Sequence, residues 1–250
     1  MPRSRCHFSL LARLHQKLES DLPDIAQLAD RELPAFCAGS VAPDALRYFS
    51  DLGKYGSHFY SENRKGTWGK SVSNMFEAHP GLSDPGSLEN REIALLLGYI
   101  SHLTVDEAFR DVVTHKVHGI ENWRPIIRGL WSMVDELALG HTGLGDTLST
   151  YSGEWDVGFI EGELVRSYLD MVGPWAETED PWEAEKVFLR LVKDTSPELD
   201  ARAIWVENRD LALEYLDPER RDVFVETAVR MGMEEIQSYV NGGYCKMPCT

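Results

Sequence analysis

The chain has 250 residues, 43% of them hydrophobic and 26% charged, with a formal net charge of −16. This length can bury the core of one large domain or two small ones, and because no linker-like stretch divides it, we expect one domain over residues 1–250. The acidic balance argues against a nucleic-acid-binding surface, since binding to phosphate backbones needs clustered lysine and arginine.

The apolar segments, the N-terminal stretch and the cysteines indicate where in the cell the protein resides. No apolar run is long enough for a membrane span, and the N-terminal stretch lacks the apolar segment of a secretion signal, so we predict a cytoplasmic protein. The four cysteines, Cys6, Cys37, Cys245 and Cys249, are too few and scattered for a disulfide scaffold. Cys245 and Cys249 could pair or bind a metal in the tail, but two unused thiols are the simpler interpretation.

Hydrophobic periodicity predicts helices along the whole chain. Apolar residues three and four apart predict an amphipathic helix over 7–28, and a buried helix begins near Glu89. Glycines over 53–69 and the Gly, Pro, Ser and Asp residues over 79–87 predict loops with short helical turns. Further helices are predicted over 45–52, 72–78, 154–172, 181–193, 197–216 and 218–240. Without any strand-like alternation, these predict an all-α, bundle-like domain of about seven or eight helices.

The buried helix carries an unusual pair of polar residues. Its segment over 94–109 has almost no polar face, yet His102 and Asp106 lie four apart, which places them on the same side of a helix. An unpaired carboxylate there costs several kcal/mol or becomes protonated, whereas a metal ion stabilises the anionic form. The pair therefore indicates either a metal site or a core histidine hydrogen-bonded to its neighbour.

Three more ligand-type residues precede this pair. His7 starts the first predicted helix, Asp44 follows Pro43, and His58 comes fourteen residues after Asp44. Imidazoles from different segments together with carboxylates suit zinc, which binds nitrogen and oxygen ligands. An imidazole that binds a metal also needs an acceptor for its other ring nitrogen.

These residues also follow the order of a known family. The stretch Phe36-Cys-Ala-Gly-Ser-Val-Ala-Pro-Asp44, then His58, then Gly98-Tyr-Ile-Ser-His102-Leu-Thr-Val-Asp106, resembles the zinc-dependent phospholipase C family. That family shares its all-helical fold with the zinc-dependent single-strand nucleases. The recognisable motifs cover roughly residues 5 to 115, and the C-terminal half is similar only in its helical character.

The resemblance implies a metal cluster. Asp44, His58, His102 and Asp106 would hold one zinc ion, and His7 with the other oxygen of Asp106 would hold a second. In the family the amine and carbonyl of the mature first residue complete that second site. Six residues precede His7 here, so we expect a second ion to be weaker, differently ligated or absent.

The family's third metal position has no counterpart in this sequence. It is built from a histidine shortly after the buried His-x-x-x-Asp pair and a later His-x-x-x-Glu pair, and no His-x-x-x-Glu pair follows Asp106. Trp131 and Asp135 are the positional substitutes, and tryptophan does not ligate zinc. His115 and His118 are possible additional metal or pocket residues, or exposed histidines at a helix end. We therefore expect one or two ions, zinc or another divalent metal.

The resemblance implies a zinc-dependent hydrolase in which metal-bound water attacks a phosphoester or acyl group, with Asp44 as ligand and proton acceptor. The basic residues over 47–70 would attract an anionic small-molecule substrate, although a solvated loop explains them equally well. Two alternatives stay open. One is a biosynthetic tailoring enzyme that uses the metal as a Lewis acid for cyclisation, elimination or rearrangement, and the other is a metal-stabilised binding protein without catalysis.

Overall fold

The fold was obtained as a computed structural model that describes residues 2–61, 63–138, 144–176 and 178–245. Within these ranges the chain forms thirteen α-helices and only two isolated β-bridges, so the all-α prediction is confirmed. The helices are α1 (Ser4–Asp21), α2 (Pro23–Arg31), α3 (Leu33–Gly39), α4 (Ala42–Phe49), α5 (Gly53–His58), α6 (Ser71–Ala78), α7 (Asn90–Ala108), α8 (Trp123–Asp135), α9 (Leu144–Ser149), α10 (Gly162–Ala176), α11 (Pro181–Leu191), α12 (Glu198–Ala212) and α13 (Pro218–Val240). None of these helices is long and apolar enough to cross a membrane, and the cytoplasmic location stays a prediction.

Helix α7 is the central element of the fold. Its start is fixed by a capping box, in which Glu89 and Glu92 each accept a hydrogen bond from the other's backbone N–H. From Ala94 to Ala108 every side chain of α7 is buried, because α1, α3, α6 and α13 pack around it. A helix without a polar face is stable only when other helices surround it. The same packing places His102 and Asp106 in the protein interior.

Helices α3 and α7 touch through their backbones. A Cβ atom on Gly98 would lie 2.1 Å from the Phe36 carbonyl oxygen and 2.9 Å from the Gly39 carbonyl carbon, so only glycine fits there. The close approach places the Ser40 carbonyl beside the His102 ring. A packing contact thereby determines the position of a polar group at the candidate site.

The core consists of two hydrophobic clusters. Three helices, α1, α7 and α13, contribute side chains to both clusters. The larger cluster is completed by helices α2–α4, α6 and α10, and the smaller one by α8. Because the clusters share these three helices, they are joined through common elements, and the single domain over 1–250 stays a prediction.

Two of the predicted helices have different bounds in the structure. The helix expected over 7–28 is broken at Leu22, because Pro23 lacks an N–H and fits only in the first turn of a new helix. The helix expected over 154–172 begins only at Gly162. Before it, Val157 and Ile160 form an isolated bridge around Gly158, whose φ of +59° interrupts the helix.

The prediction of seven or eight helices was too low. Helices α3 and α9 have seven and six residues, which is too short for a repeating apolar pattern. Helix α8 was missed although it has 13 residues, because Pro125 and Gly129 interrupt its pattern.

The described cysteines are free thiols. Cys6 and Cys37 are buried, whereas Cys245 is exposed and its Sγ lies 3.3 Å from the Ser83 carbonyl oxygen. Cys249 lies outside the described residues.

Candidate metal centre

The five ligand-type residues predicted from the sequence converge on one buried point. His7 lies in the first turn of α1, Asp44 in the first turn of α4, and His58 is the last residue of α5. His102 and Asp106 lie one turn apart on α7, and each of the five residues is at most 5% exposed. Their ligand atoms form two overlapping groups within 4.8 Å, each with the composition of a metal site.

The ligand atoms nearest His58 lie at the spacing of neighbouring metal ligands. Its Nε2 atom lies 3.3 Å from Nε2 of His102, 3.5 Å from Oδ1 of Asp44 and 3.7 Å from Oδ2 of Asp106. Tetrahedral zinc with ligands at about 2.0–2.2 Å separates neighbouring ligand atoms by roughly 3.3–3.6 Å. His58, His102 and Asp106 form one of the two groups, and Asp44 forms the other with His7 and His102.

The buried polar atoms of this cluster lack hydrogen-bond partners. Oδ1 of Asp44, both carboxylate oxygens of Asp106 and both ring nitrogens of His7 are inaccessible to solvent and unpartnered. Leaving such atoms unpaired costs about 1–3 kcal/mol each, and more for a charged group. A cation between them would bind the carboxylate oxygens and one ring nitrogen of His7, so the donor set fits a metal ion, and the other ring nitrogen of His7 has no protein acceptor among the described residues.

His7 extends the cluster on one side. Its Nε2 atom lies 3.8 Å from Oδ1 of Asp106, the carboxylate oxygen that faces away from His58. Its ring stacks on that of His102 with centroids 3.7 Å apart and an interplanar angle of 4°. The two oxygens of Asp106 thus face two different histidines, which is the arrangement of a bridging carboxylate.

Hydrogen bonds fix the tautomers of the two central histidines. Nδ1 of His102 lies 2.8 Å from the Ser40 carbonyl, which can only accept, so this nitrogen carries the proton. Nδ1 of His58 lies 2.8 Å from the hydroxyl of Ser57, whose own proton is donated to the Gly53 carbonyl at 2.9 Å. Both rings therefore direct an Nε2 lone pair into the cluster, where the two lone pairs repel each other unless a cation lies between them.

The protonation states also suit a metal. Burial lowers the pKa of His58 to about 4 and lowers the pKa of His7 well below its ordinary value. Burial alone would raise the pKa of Asp44, but contact with His58 and the charges of His102, His58 and Arg47 outweigh burial and lower it. Neutral imidazoles and ionised carboxylates are the forms that bind metal ions.

The four additional candidate residues lie outside this cluster. Among the residues that the structure describes, His115, His118, Trp131 and Asp135 belong to no group with metal-ligand spacing. The two histidines are exposed. Asp135 is buried, accepts a hydrogen bond from the Cys6 N–H at 3.1 Å, and has a pKa raised to about 6, chiefly by burial.

Two cavities adjoin the cluster. The first has a volume of about 330 Å³ and includes Asp44 and Asp135 in its wall, and the second has about 410 Å³ and includes Asp106 and His118. Trp131 lines both cavities, as do Arg47, Trp123 and Ile127. Volumes of this size are typical of small-molecule sites.

The sequence prediction named Trp131 and Asp135 of α8 as possible metal or pocket residues but missed Trp123 and Ile127. Trp123 and Ile127 are four residues apart on the face that lines both cavities. Their spacing is a helical signal, but it is recognisable only once the segment is identified as a helix.

A substitution at Ser57 tests how the His58 ring is held. In Ser57→Ala the Nδ1–H of His58 loses its buried acceptor, so we expect zinc affinity to fall by about 10- to 100-fold, measured by competition with a chromophoric chelator. Ser87→Ala is the matched control, because that exposed hydroxyl also donates to a backbone carbonyl. Equal zinc affinity in the two variants would contradict an orienting role for Ser57.

Comparisons with known proteins agree with this geometry. A family model described as zinc dependent phospholipase C matches residues 6–173, and the chain matches no curated protein or solved structure. The matched span contains all five residues of the cluster and extends beyond residue 115, through α8 and into α10. The chain therefore belongs to the zinc-dependent phospholipase C family.

Proposed function

We propose that this protein is a zinc-dependent hydrolase that cleaves a phosphoester or acyl bond in a small molecule. The observation that carries this proposal is the buried set of unpartnered carboxylate oxygens and facing Nε2 atoms within 3.3–3.7 Å of Nε2 of His58, next to two cavities. Membership of a zinc-dependent family supports zinc as the ion. The cavities supply space for a substrate beside the cluster.

The proposed ligand sets are those that the family resemblance implies, and the distances from His58 and from His7 to Asp106 support them. Asp44, His58, His102 and Asp106 would hold one ion, and His7 with Oδ1 of Asp106 would hold a second, so the protein binds one or two ions. When bound, zinc lowers the pKa of water and polarises the oxygen of a phosphoryl or acyl group.

The chain's own groups have distinct parts in this proposal. The Asp44 carboxylate lines the first cavity and is ionised at neutral pH, so it can accept the proton that water releases. Arg47 lines both cavities and places a positive charge near the negative charge that develops on the substrate. Trp123, Ile127 and Trp131 exclude water from the walls, which strengthens both effects.

The test is turnover of chromogenic substrates by zinc-loaded protein. We expect hydrolysis of at least one of bis(4-nitrophenyl) phosphate, 4-nitrophenyl phosphate and 4-nitrophenyl acetate. This activity should disappear with chelation, return with added zinc, and be lost in Asp44→Asn. Stoichiometric zinc without turnover of any of the three would contradict a hydrolase of this broad kind.

A tailoring reaction on a small metabolite is the second candidate. It is favoured by the aromatic side chains that line the first cavity, among them Tyr48, Trp123 and Tyr168, because such walls reduce contact of water with a reactive intermediate. Space for a ligand beside the cluster argues against a purely structural metal site. Under this alternative, zinc-loaded protein would bind its substrate but turn over none of the three chromogenic esters.

A further inference from the structure

The wall of the first cavity is rich in arginine although the chain is strongly acidic. Arg3, Arg47, Arg124 and Arg128 line it, in a protein with 25 basic and 41 acidic residues. Arg3 is paired with Glu185. The cavity therefore concentrates positive charge beyond what its own acidic residues neutralise.

Two of these arginines have no ion-pair partner. Arg124 and Arg128 are exposed and lie one turn apart on α8, and neither forms an ion pair with any carboxylate that the structure describes. The exposed Asp194 is the acidic residue whose pKa responds to Arg128. Hydrogen bonds from Ser196 chiefly lower this pKa, and the charge of Arg128 lowers it to a smaller extent, but Arg128 and Asp194 form no ion pair. Like charges one turn apart on a helix repel, so the pair is destabilising unless an anion lies between them.

Trp131 contributes a buried donor to the same wall. Its indole Nε1–H is inaccessible to solvent and has no hydrogen-bond partner among the described residues. An indole N–H can only donate, and a buried donor without an acceptor destabilises the protein. An acceptor supplied by a ligand in the cavity would remove this destabilisation.

Apart from Ser4, Asp44 and Asp135, the rest of the wall is mostly apolar and aromatic. Trp123, Ile127, Tyr168 and Phe188 line the same cavity as the arginines and the metal cluster residue Asp44. Flat apolar surfaces of this kind suit a ring or another apolar body. A ligand that satisfies the whole wall is therefore an amphipathic acid.

We propose that the first cavity is a subsite for a second anionic group of the substrate, a carboxylate or phosphate held by Arg124, Arg128 and Nε1 of Trp131. An aromatic or apolar body connects this group to the bond that reacts beside Asp44. This inference rests on the proposed function, because it takes the metal cluster as the reacting end. It defines the substrate class as small organic acids with an anionic group remote from the reacting bond.

Binding of a non-hydrolysable probe tests the subsite without requiring turnover. Phenylphosphonate and its neutral dimethyl ester are titrated into the zinc-loaded full chain by calorimetry at low salt. We expect the anion to bind at least about tenfold more tightly than the ester, and Arg124→Gln/Arg128→Gln to remove this preference. Trp131→Phe, which removes the donor and keeps an aromatic ring, should weaken anion binding several-fold.

The control variant is Arg31→Gln/Arg221→Gln. It removes the same two charges from exposed positions that line neither cavity, and it should keep the affinity of the unaltered chain. Zinc content measured in every variant shows that the cluster is intact. The subsite would be overturned if the control lost as much affinity for phenylphosphonate as Arg124→Gln/Arg128→Gln, or if Arg124→Gln/Arg128→Gln lost none.

The remaining outcomes separate the subsite from the proposed function. Arginine-dependent probe binding without hydrolysis of any ester would contradict only the hydrolase, whereas hydrolysis together with equal binding of anion and ester would overturn only the subsite. A second experiment measures binding of the protein to vesicles that contain anionic lipid. Arginine-dependent vesicle binding without phenylphosphonate binding would overturn a small-molecule occupant.

Discussion

The His102→Ala variant is expected to lose zinc and activity together. Removing this imidazole deletes a ligand that belongs to both groups of the cluster and leaves His58, Asp44 and Asp106 as an incomplete set. We expect the zinc content to fall below about 0.1 ions per chain. Since a catalytic metal supplies several kcal/mol of transition-state stabilisation, hydrolysis should fall by about 1,000-fold or more.

The matched control for this variant is His115→Ala, which removes an exposed imidazole outside the cluster. Zinc content by mass spectrometry and rates with the substrate that the unaltered protein hydrolyses best should be unchanged in the control. Circular dichroism of both variants checks that the helices persist. Full zinc occupancy in His102→Ala would show that the ion binds elsewhere.

The second large effect is expected from Gly98→Ala. The added methyl group would lie 2.1 Å from the Phe36 carbonyl oxygen and 2.8 Å from the Ser40 nitrogen, so α3 must move away from α7. Overpacking against backbone cannot be relieved by rotating a side chain, and we expect a loss of about 3 kcal/mol in the free energy of unfolding. The displacement also moves the acceptor of His102 Nδ1, so zinc affinity should fall as well.

Gly81→Ala is the control for this substitution. Gly81 lies in the short turn Pro80–Leu82, and an added Cβ would meet no atom within 4 Å. Alanine should be neutral there or stabilise the protein by up to about 1 kcal/mol. Denaturant unfolding measures both variants, and a Gly98→Ala protein as stable as the Gly81→Ala protein would contradict the proposed constraint between α3 and α7.

The sequence was informative where a residue's chemistry conflicts with its surroundings. An aspartate four residues after a histidine in an apolar helix required a compensating group, and the structure buries both residues beside His7, Asp44 and His58. The order of these residues indicated the family. Helix α7 was recognisable from its continuous apolar stretch, and α13 from the proline in its first turn.

Other features depend on contacts between distant segments. Nothing local indicates that Gly98 meets the backbone of α3, or that the Ser57 hydroxyl orients His58. Arg124 and Arg128 line the first cavity, and this cannot be predicted from the sequence because it depends on how α8 packs in the folded protein. Short helices and helices interrupted by proline or glycine also give too little periodicity to be recognised.

The most direct test of the account is a crystal structure of the zinc-loaded protein with anomalous scattering measured at the zinc edge. We expect a peak bonded to Nε2 of His58 and His102 and to oxygens of Asp44 and Asp106 at about 2.0–2.2 Å. A second, weaker peak between His7 and Asp106 would correspond to the second ion. Zinc bound only at another place, such as the tail cysteines, with the buried cluster empty, would contradict the central claim.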